Sequence, residues 1–305
     1  MRKANMIKGI LVGYDRSEQA RDALLLGARL ATHIDARLIV GMACSDKRLL
    51  EIATPLDAAL ARESDALVAD VRAGLPDPAP TQVGSRILVR DSVADGLHDL
   101  ASYEDIDMVV IGSTHRGPLG RVLPGSLALQ LIGRTPCPLM IAPRGFAAGE
   151  DPASGPVIVA FDGSELAGRA VAFAARLADQ ARSRLHVVGV AASAAQVEAV
   201  LAGAVAPLGA QLDRGALQRA LDEELERLPP DLEAEGTVLE GSAIETLVGL
   251  AQGAGGLFVA GSHGRGPLMS LVLGSVSDVI AKRISWPLVL VPPQARVDAD
   301  LETES

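Results

Sequence analysis

The chain has 305 residues, a length that favours about two domains of ordinary size. Hydrophobic residues make up 49% of it and aromatic residues 2%, so each half can bury a core built mainly from Ala, Val and Leu. A formal net charge of −10 argues against general nucleic-acid binding through the overall field, although a local basic patch could still hold a small anion.

Strand and helix patterns alternate along the first half of the chain. Short apolar runs, typical of buried parallel strands, predict five strands at 7–14, 37–43, 86–89, 108–112 and 139–142. Apolar residues at helical spacing predict four helices at 17–32, 56–75, 93–103 and 126–133. Alternation of this kind predicts a parallel sheet with helices on both faces.

The second half repeats this order of elements. Its predicted strands are 157–161, 185–190, 237–239, 257–260 and 288–291. Its predicted helices are 164–181, 212–228, 243–252 and 275–283. We therefore expect one domain at residues 1–144 and a second at residues 157–293.

Two segments lie outside the expected domains. Residues 145–156, GFAAGEDPASGP, are rich in Gly, Ala and Pro, which predicts a linker. Residues 294–305 are polar and acidic, and we expect them to form a disordered tail.

Nothing in the sequence points to secretion or to a membrane span. The first residues reach Asp15 before any long apolar region forms, and polar residues interrupt the Ala-rich stretch 187–212. The two cysteines, Cys44 and Cys137, have no metal-binding spacing and agree with a reducing compartment. We expect a cytoplasmic protein that binds neither a membrane nor nucleic acid.

One segment occurs twice, at residues 109–143 and 258–292. Each copy contains an apolar run that ends in Gly-Ser, a basic Gly-rich loop, a second Gly-Ser before a predicted helix, and a Pro before another apolar run. Three pairs share an offset of 149 positions: Gly112 and Gly261, Gly125 and Gly274, Pro138 and Pro287. A period near half the chain length indicates two copies of one domain.

The second copy has the composition of a phosphate-binding loop. Its glycines let backbone N–H groups approach an anion, and the start of a helix adds unpaired donors. Arg265 places a cation beside the loop, and Ser275 can cap the helix or donate to a phosphate oxygen. The same glycines could instead serve only a tight turn. The Gly-Lys-Ser/Thr of a Walker loop and the Gly-x-Gly-x-x-Gly of the dinucleotide fold are both missing here.

The spacing of Gly261, Gly264 and the pair Gly274-Ser275 resembles the nucleotide-binding signature of the universal stress protein family. An Asp ends the first strand of each copy, at Asp15 and Asp162, and a Pro-x-Leu/Val strand closes each half. The resemblance implies two tandem Rossmann-like domains, each an open five-stranded parallel sheet with helices on both faces. It also implies binding of ATP, together with magnesium, because some members of the family bind ATP.

The resemblance assigns ligand contacts residue by residue. In the second copy, Asp162 faces the adenine-ribose end of the cleft and Val190 lines it. The positions that surround the triphosphate, or that hold phosphate and ribose, are Gly261, Gly264, Arg265, Gly274, Ser275 and Val276, and the same loop contains His263 and Gly266. The matching positions of the first copy are Asp15, Met42, Gly112, Arg116, Gly125, Ser126 and Leu127. The alternatives are a turn or capping role for the two Asp residues and a core role for Met42 and Val190.

The first copy departs from the signature. His115 replaces its second glycine, and a side chain there takes space near the phosphates. Pro124 removes a potential N–H donor, and Asp91 stands where the second copy has Gly241. We therefore expect weaker nucleotide binding in the first half, unless the ring of His115 itself contacts a phosphate.

These residues form no convincing catalytic set. The leading interpretation is an adenine-nucleotide-binding universal stress protein that acts as a stress-response sensor or regulator. Its halves would pack as an intramolecular pseudo-dimer, with a homodimer of the chain and an unidentified protein partner also possible. The alternatives are a nucleotide-independent protein-interaction module, and a slow ATP hydrolase or nucleotidyl transferase that uses the same cleft.

Overall fold

The computed structural model describes residues 6–44, 56–114, 121–146, 155–193, 213–251, 255–262 and 282–297. The chain forms two compact units. One contains the described residues of 7–150 together with 294–296, and the other contains those of 151–293 together with residues 6 and 297.

The first unit is an open sheet of five strands with four described helices. The strands are β1 (Gly9–Gly13), β2 (Arg37–Cys44), β3 (Val83–Val89), β4 (Met108–Gly112) and β5 (Leu139–Ala142). The helices are α1 (Glu18–His33), α2 (Leu56–Gly74), α3 (Val93–Tyr103) and α4 (Ser126–Ile132). The strand order is β3-β2-β1-β4-β5, and every adjacent pair is parallel.

Helices cover both faces of this sheet. A Cβ built on Gly27 of α1 would meet the side chain of Val12, whereas a Cβ built on the next strand residue, Gly13, would meet Leu97 of α3. Because successive strand residues point to opposite faces, α1 and α3 lie on opposite sides of β1.

The second unit repeats this architecture. Its strands are β6 (Val157–Phe161), β7 (Leu185–Ala191), β8 (Ala234–Glu240), β9 (Leu257–Gly261) and β10 (Leu288–Val291). Its described helices are α5 (Glu165–Ala181), α6 (Arg214–Glu226) and α7 (Ala243–Leu250). The order β8-β7-β6-β9-β10, again parallel throughout, matches the first unit strand for strand. The predicted fold class is confirmed.

Two strands are longer than predicted. The sequence pattern predicts strands at 86–89 and 237–239, whereas β3 and β8 each begin three residues earlier. Their first residues include Gly84 and Gly236, which have low strand propensity, so the local pattern does not mark them. Pairing with β2 and β7 extends both strands. Most of the predicted helix 275–283 lies outside the described residues.

The first two residues of the expected linker, Gly145 and Phe146, are both held on α1. The backbone N–H of Gly145 donates to Oδ2 of Asp22 at 2.7 Å. The guanidinium of Arg29 lies 5.6 Å from the centre of the Phe146 ring, within the range of a cation–π contact.

Residues 294–297 are also ordered, so the predicted disordered tail does not begin at residue 294. The side chain of Gln294 donates from Nε2 to the carbonyl of Ile132, the last residue of α4, at 2.7 Å. Ala295 is buried. Residues 298–305 lie outside the part of the chain that the structure describes.

Candidate functional site

The strand order of each unit changes direction at one place. From β1 the chain goes to β2 and β3 on one side, and it then crosses to β4 on the other side. Asp15 follows the end of β1 and Gly112 ends β4, while Asp162 and Gly261 have the same positions in β6 and β9. Ligands of open α/β sheets bind outside the carboxyl ends of the strands at such a point. The fold therefore brings these four predicted residues to the edge where a ligand is expected.

Asp15 and Asp162 each stabilise the turn between a strand and a helix. Oδ1 of Asp15 accepts a hydrogen bond from the N–H of Ser17 at 3.0 Å, and Oδ1 of Asp162 accepts one from the N–H of Ser164 at 2.9 Å. Ser17 and Ser164 are the N-caps of α1 and α5. The turn role, which the sequence left as an alternative, is thus present in both units. It also fixes each carboxylate beside the crossing point.

The two turns share a backbone conformation but differ in their side-chain contacts. Arg16 has a φ of 67° and the matching Gly163 has a φ of 71°, so each turn contains a residue in the left-handed region. In the first unit, Arg16 lies 3.7 Å from Asp70 of α2, and the hydroxyl of Tyr14 donates to the same carboxylate at 2.9 Å. Burial, and then the hydrogen bond to Asp70, raise the pKa of Tyr14. The second unit has Phe161 in place of Tyr14 and cannot form this contact.

Tyr14 was not among the site residues predicted from the sequence. The signal that could have found it is the Tyr-to-Phe difference between two otherwise matching segments, GYDRS and AFDGS. The contact ties α2 to the β1–α1 turn, so the units differ at the predicted adenine end as well as in the predicted phosphate loop.

Met42 and Val190 are core residues. Met42 in β2 is 6% exposed and Val190 in β7 is 9% exposed. These values agree with the core role that the sequence left open, and a lining role at the cleft stays a prediction.

The two described glycines of the first loop have different surroundings. A Cβ on Gly112 would lie 2.2 Å from the carbonyl oxygen of Gln19, so α1 can pack on β4 only if residue 112 is glycine. Among the described residues, a Cβ on Gly125 would meet only Cβ of Thr114, at an ordinary 3.7 Å. Packing therefore explains Gly112, whereas no described neighbour explains Gly125. After Gly125, Ser126 is exposed and Leu127 is half-buried.

Gly241 has a backbone reason to be glycine. Its φ is +137°, a conformation that residues with a Cβ rarely adopt. Asp91, at the matching position of the first unit, is exposed and is not among the described residues of positive φ. The difference between the two positions thus includes a difference in turn geometry, and not only an added negative charge.

The remaining predicted contacts lie outside the described residues. They are Arg116 of the first copy and His263, Gly264, Arg265, Gly266, Gly274, Ser275 and Val276 of the second. The same holds for His115. Their roles stay predictions.

A cavity of about 280 Å³ lies elsewhere in the first unit, between the end of α2 and the start of β3. Its lining is mainly apolar and includes Arg72, Leu75 and Val83. It is at the amino ends of the strands, opposite the edge that holds Asp15 and Gly112, so it is separate from the candidate site.

Within the described residues, no group of three or more His, Cys, Asp or Glu side chains is arranged to hold a metal ion. Each unit offers one carboxylate at the crossing point, and each of these carboxylates is already bonded in a turn. A magnesium ion at this edge would therefore need oxygen ligands from a bound phosphate or from water.

None of the described helices combines the length and the apolar character that a membrane span requires.

Comparison with known proteins identifies the family of this chain. The model of the universal stress protein family matches twice, at residues 6–143 and 154–292. A universal stress protein of Mycobacterium tuberculosis is 34% identical over 194 residues, which cover 61% of this chain and 62% of that protein. This chain thus spans less than two thirds of that relative's length. A universal stress protein of Mycolicibacterium smegmatis is 29% identical over 303 residues, covering 94% and 97% of the two chains.

Solved structures agree on the fold. A universal stress protein from Archaeoglobus fulgidus superimposes with a TM-score of 0.63 at 17% identity, over 94% of this chain and 97% of that one. A protein from Pseudomonas aeruginosa, described as a putative universal stress protein, gives a TM-score of 0.60 at 17% identity, over 99% and 98% of the two chains. With two family matches that together span most of its length, the chain belongs to the universal stress protein family and is a tandem member with two such domains.

Proposed function

We propose that this chain binds an adenine nucleotide, ATP with magnesium, at the carboxyl edge of its sheets and acts as a sensor or regulator in a stress response. The observation that carries the proposal is the position of Asp15, Gly112, Asp162 and Gly261 at the crossing points of the two strand orders. Such a crossing point is where open α/β sheets bind nucleotides.

The surroundings of Gly125 support the proposal independently. Neither backbone strain nor a close contact with the described residues requires glycine at this position, since its φ is −86° and the nearest described neighbour of a built Cβ is 3.7 Å away. A glycine without a close described neighbour leaves space on that side for the approach of a ligand. The matching residue in the second unit is Gly274.

The second unit is the stronger candidate for the nucleotide. Its loop keeps Gly264, whereas the first has His115, and Arg265 would balance phosphate charge. The backbone of Gly261, Gly264 and Gly274 would approach the phosphates, and Asp162 would lie toward the ribose. The bound nucleotide would supply the phosphate oxygens that a magnesium ion needs.

The remaining parts of the proposal concern the whole chain. We place it in the cytoplasm, with its two domains packed as a pseudo-dimer, a possible homodimer of the chain, and a protein partner of unknown kind.

The test is titration calorimetry of the purified chain with ATP and magnesium, after mass spectrometry of any nucleotide that copurifies. We expect about one tight site per chain. Gly264→Val should weaken binding at least about tenfold, because a branched side chain fills the space for phosphate, whereas His115→Gly should change the tight site little.

Gly249→Ala is the control, since a Cβ on this residue of α7 meets none of the described residues within 4 Å. Equal effects of Gly264→Val and His115→Gly would contradict the unequal sites. No binding and no copurified nucleotide would overturn the proposal in favour of an interaction module. Release of phosphate that Gly264→Val abolishes would point to an ATP hydrolase.

A further inference from the structure

Ser113 lies at the base of the first loop, which is the place where residues 113 and 114 meet residue 123. It follows Gly112 at the end of β4 and is 3% exposed. Its hydroxyl donates to the carbonyl of Leu123 at 3.1 Å and accepts from the N–H of the same residue at 2.6 Å. The N–H of Thr114 donates to the Leu123 carbonyl at 2.9 Å. Three hydrogen bonds therefore join residues 113 and 114 to residue 123, at the two ends of the segment 115–122.

The hydroxyl bonds to both backbone groups of Leu123. Without it, the carbonyl of Leu123 would keep the bond from Thr114, whereas the part-buried N–H would lose its described partner. Removal of the hydroxyl therefore favours opening of the loop base. Neither Ala nor Val can replace it, since neither side chain donates or accepts a hydrogen bond.

The same position is kept in the second unit. Ser262 follows Gly261 at the end of β9 and is fully buried. Its N–H donates to the carbonyl of Val291 at 2.9 Å, as the N–H of Ser113 does to that of Ala142 at 3.1 Å. Ser113 and Ser262 are 149 positions apart, the offset of the repeated segment.

The loop base leads directly into the residues predicted to contact phosphate. Gly112 precedes Ser113, and Leu123 is separated from Gly125, the N-cap of α4, only by Pro124. By holding residue 123 against residue 113, the hydroxyl sets the distance between the strand end and Gly125. An anion bound between these two points would be sensitive to that distance.

We propose that Ser113 is a positioning residue that holds the end of β4 at the distance from Gly125 required by a nucleotide's phosphate chain, and that Ser262, which matches it in the repeat, has the same role. The proposal rests on the proposed function. It concerns residues to which the family signature, as applied above, gives no role.

The test compares Ser113→Ala and Ser262→Ala with two controls that also remove a hydroxyl. Thr135→Val removes a fully buried hydroxyl that donates to the carbonyl of Leu131 at 2.8 Å, and Thr237→Val removes one that lies 3.1 Å from a ring nitrogen of His186. Neither control hydroxyl bonds to a loop base. The two measurements are amide hydrogen exchange at residues 114 and 123, and ATP affinity by calorimetry.

We expect Ser113→Ala to speed exchange at Thr114 and Leu123 about tenfold, the effect of losing one or two net hydrogen bonds, and Thr135→Val to leave it unchanged. Ser262→Ala should weaken ATP binding about tenfold and Thr237→Val less than about twofold. Unchanged exchange in Ser113→Ala, or unchanged affinity in Ser262→Ala when the wild type binds, overturns the proposal. If the wild type binds no ATP, the proposed function fails, and the exchange rates alone decide whether Ser113 holds the loop.

Discussion

Glycine at the carboxyl edge of an α/β sheet has two possible causes, and Gly112 and Gly125 separate them. A side chain on Gly112 would overlap the backbone of Gln19, whereas a Cβ on Gly125 would have no close neighbour among the described residues. The family signature treats both positions alike. The described surroundings show that the first glycine is required for helix packing, and they give no packing reason for the second.

This difference predicts opposite results for two matched substitutions. Gly112→Ala should lower the free energy of unfolding of the first unit by about 3 kcal/mol or more, because a clash with backbone cannot be relieved by a rotamer change. Gly125→Ala should change it by less than about 0.5 kcal/mol, as expected for a position without a close neighbour among the described residues. Urea unfolding followed by circular dichroism measures both. Equal losses of stability would contradict the distinction between the two glycines.

At the scale of elements, an ion pair recurs in both units. Arg134, just after α4, pairs with Asp95 in the first turn of α3, and Arg283 pairs with Glu245 in the first turn of α7. The two arginines are 149 positions apart. Their acidic partners, Asp95 and Glu245, are 150 positions apart and differ in side-chain length. The contact therefore persists although its acidic partner has changed, which indicates that it orients the same pair of segments in each unit.

The second pair makes a pH prediction. The hydrogen bond from Arg283 lowers the pKa of Glu245, opposed in part by desolvation. A carboxyl whose pKa is lowered on folding stabilises the fold above its ordinary pKa of about 4.3, and this contribution is lost as the pH falls through the folded value. NMR titration should give a pKa below the ordinary range for Glu245, with a return toward that range in Arg283→Gln. An identical pKa in wild type and variant would mean that the pair does not form in solution. The Arg134→Gln variant, which leaves Glu245 its partner, is the control.

At the scale of the whole molecule, the sequence supplies one probe for each unit. Cys137 in the first unit and Trp286 in the second occupy matching positions 149 residues apart. Cys137 is 1% exposed, and burial, followed by the negative charge of Asp107, raises the pKa of its thiol to about 12. Trp286 is the chain's single tryptophan and is 5% exposed. A thiol reagent therefore reacts with Cys137 only when the first unit opens, and fluorescence reports the second unit.

Substitutions in one unit should move the probe of that unit. In a Cys44→Ala background, Gly112→Ala should speed labelling of Cys137, while Gly163→Ala should lower the urea midpoint of Trp286 fluorescence by the equivalent of about 1 kcal/mol. The second effect follows because Gly163 has a φ of 71°, which is costly for alanine. If each substitution moved both probes equally, the two units would unfold as one, contrary to the separate cores expected of two domains.

The repeat, the order of elements and the family were all readable from the chain alone. Period-2 and helical patterns are local, and an offset of 149 between Gly112 and Gly261 needs no coordinates. The starts of β3 and β8 were not predictable, because Gly84 and Gly236 are in strands only through pairing with β2 and β7. For the same reason the sequence could not show that Gly145 and Phe146 pack on α1.

The candidates for a nucleotide site follow from the chain alone: they are the aspartates after β1 and β6 and the glycines of the two loops. What the described candidates do within the fold follows from the folded structure. Asp15 and Asp162 stabilise turns, Gly112 allows α1 to pack on β4, and Ser113 bonds to Leu123 at the base of a loop. The sequence contains the type and position of each residue, which is enough to recognise a motif. A clash with Gln19 or a bond to Leu123 depends on segments that are brought together only by folding.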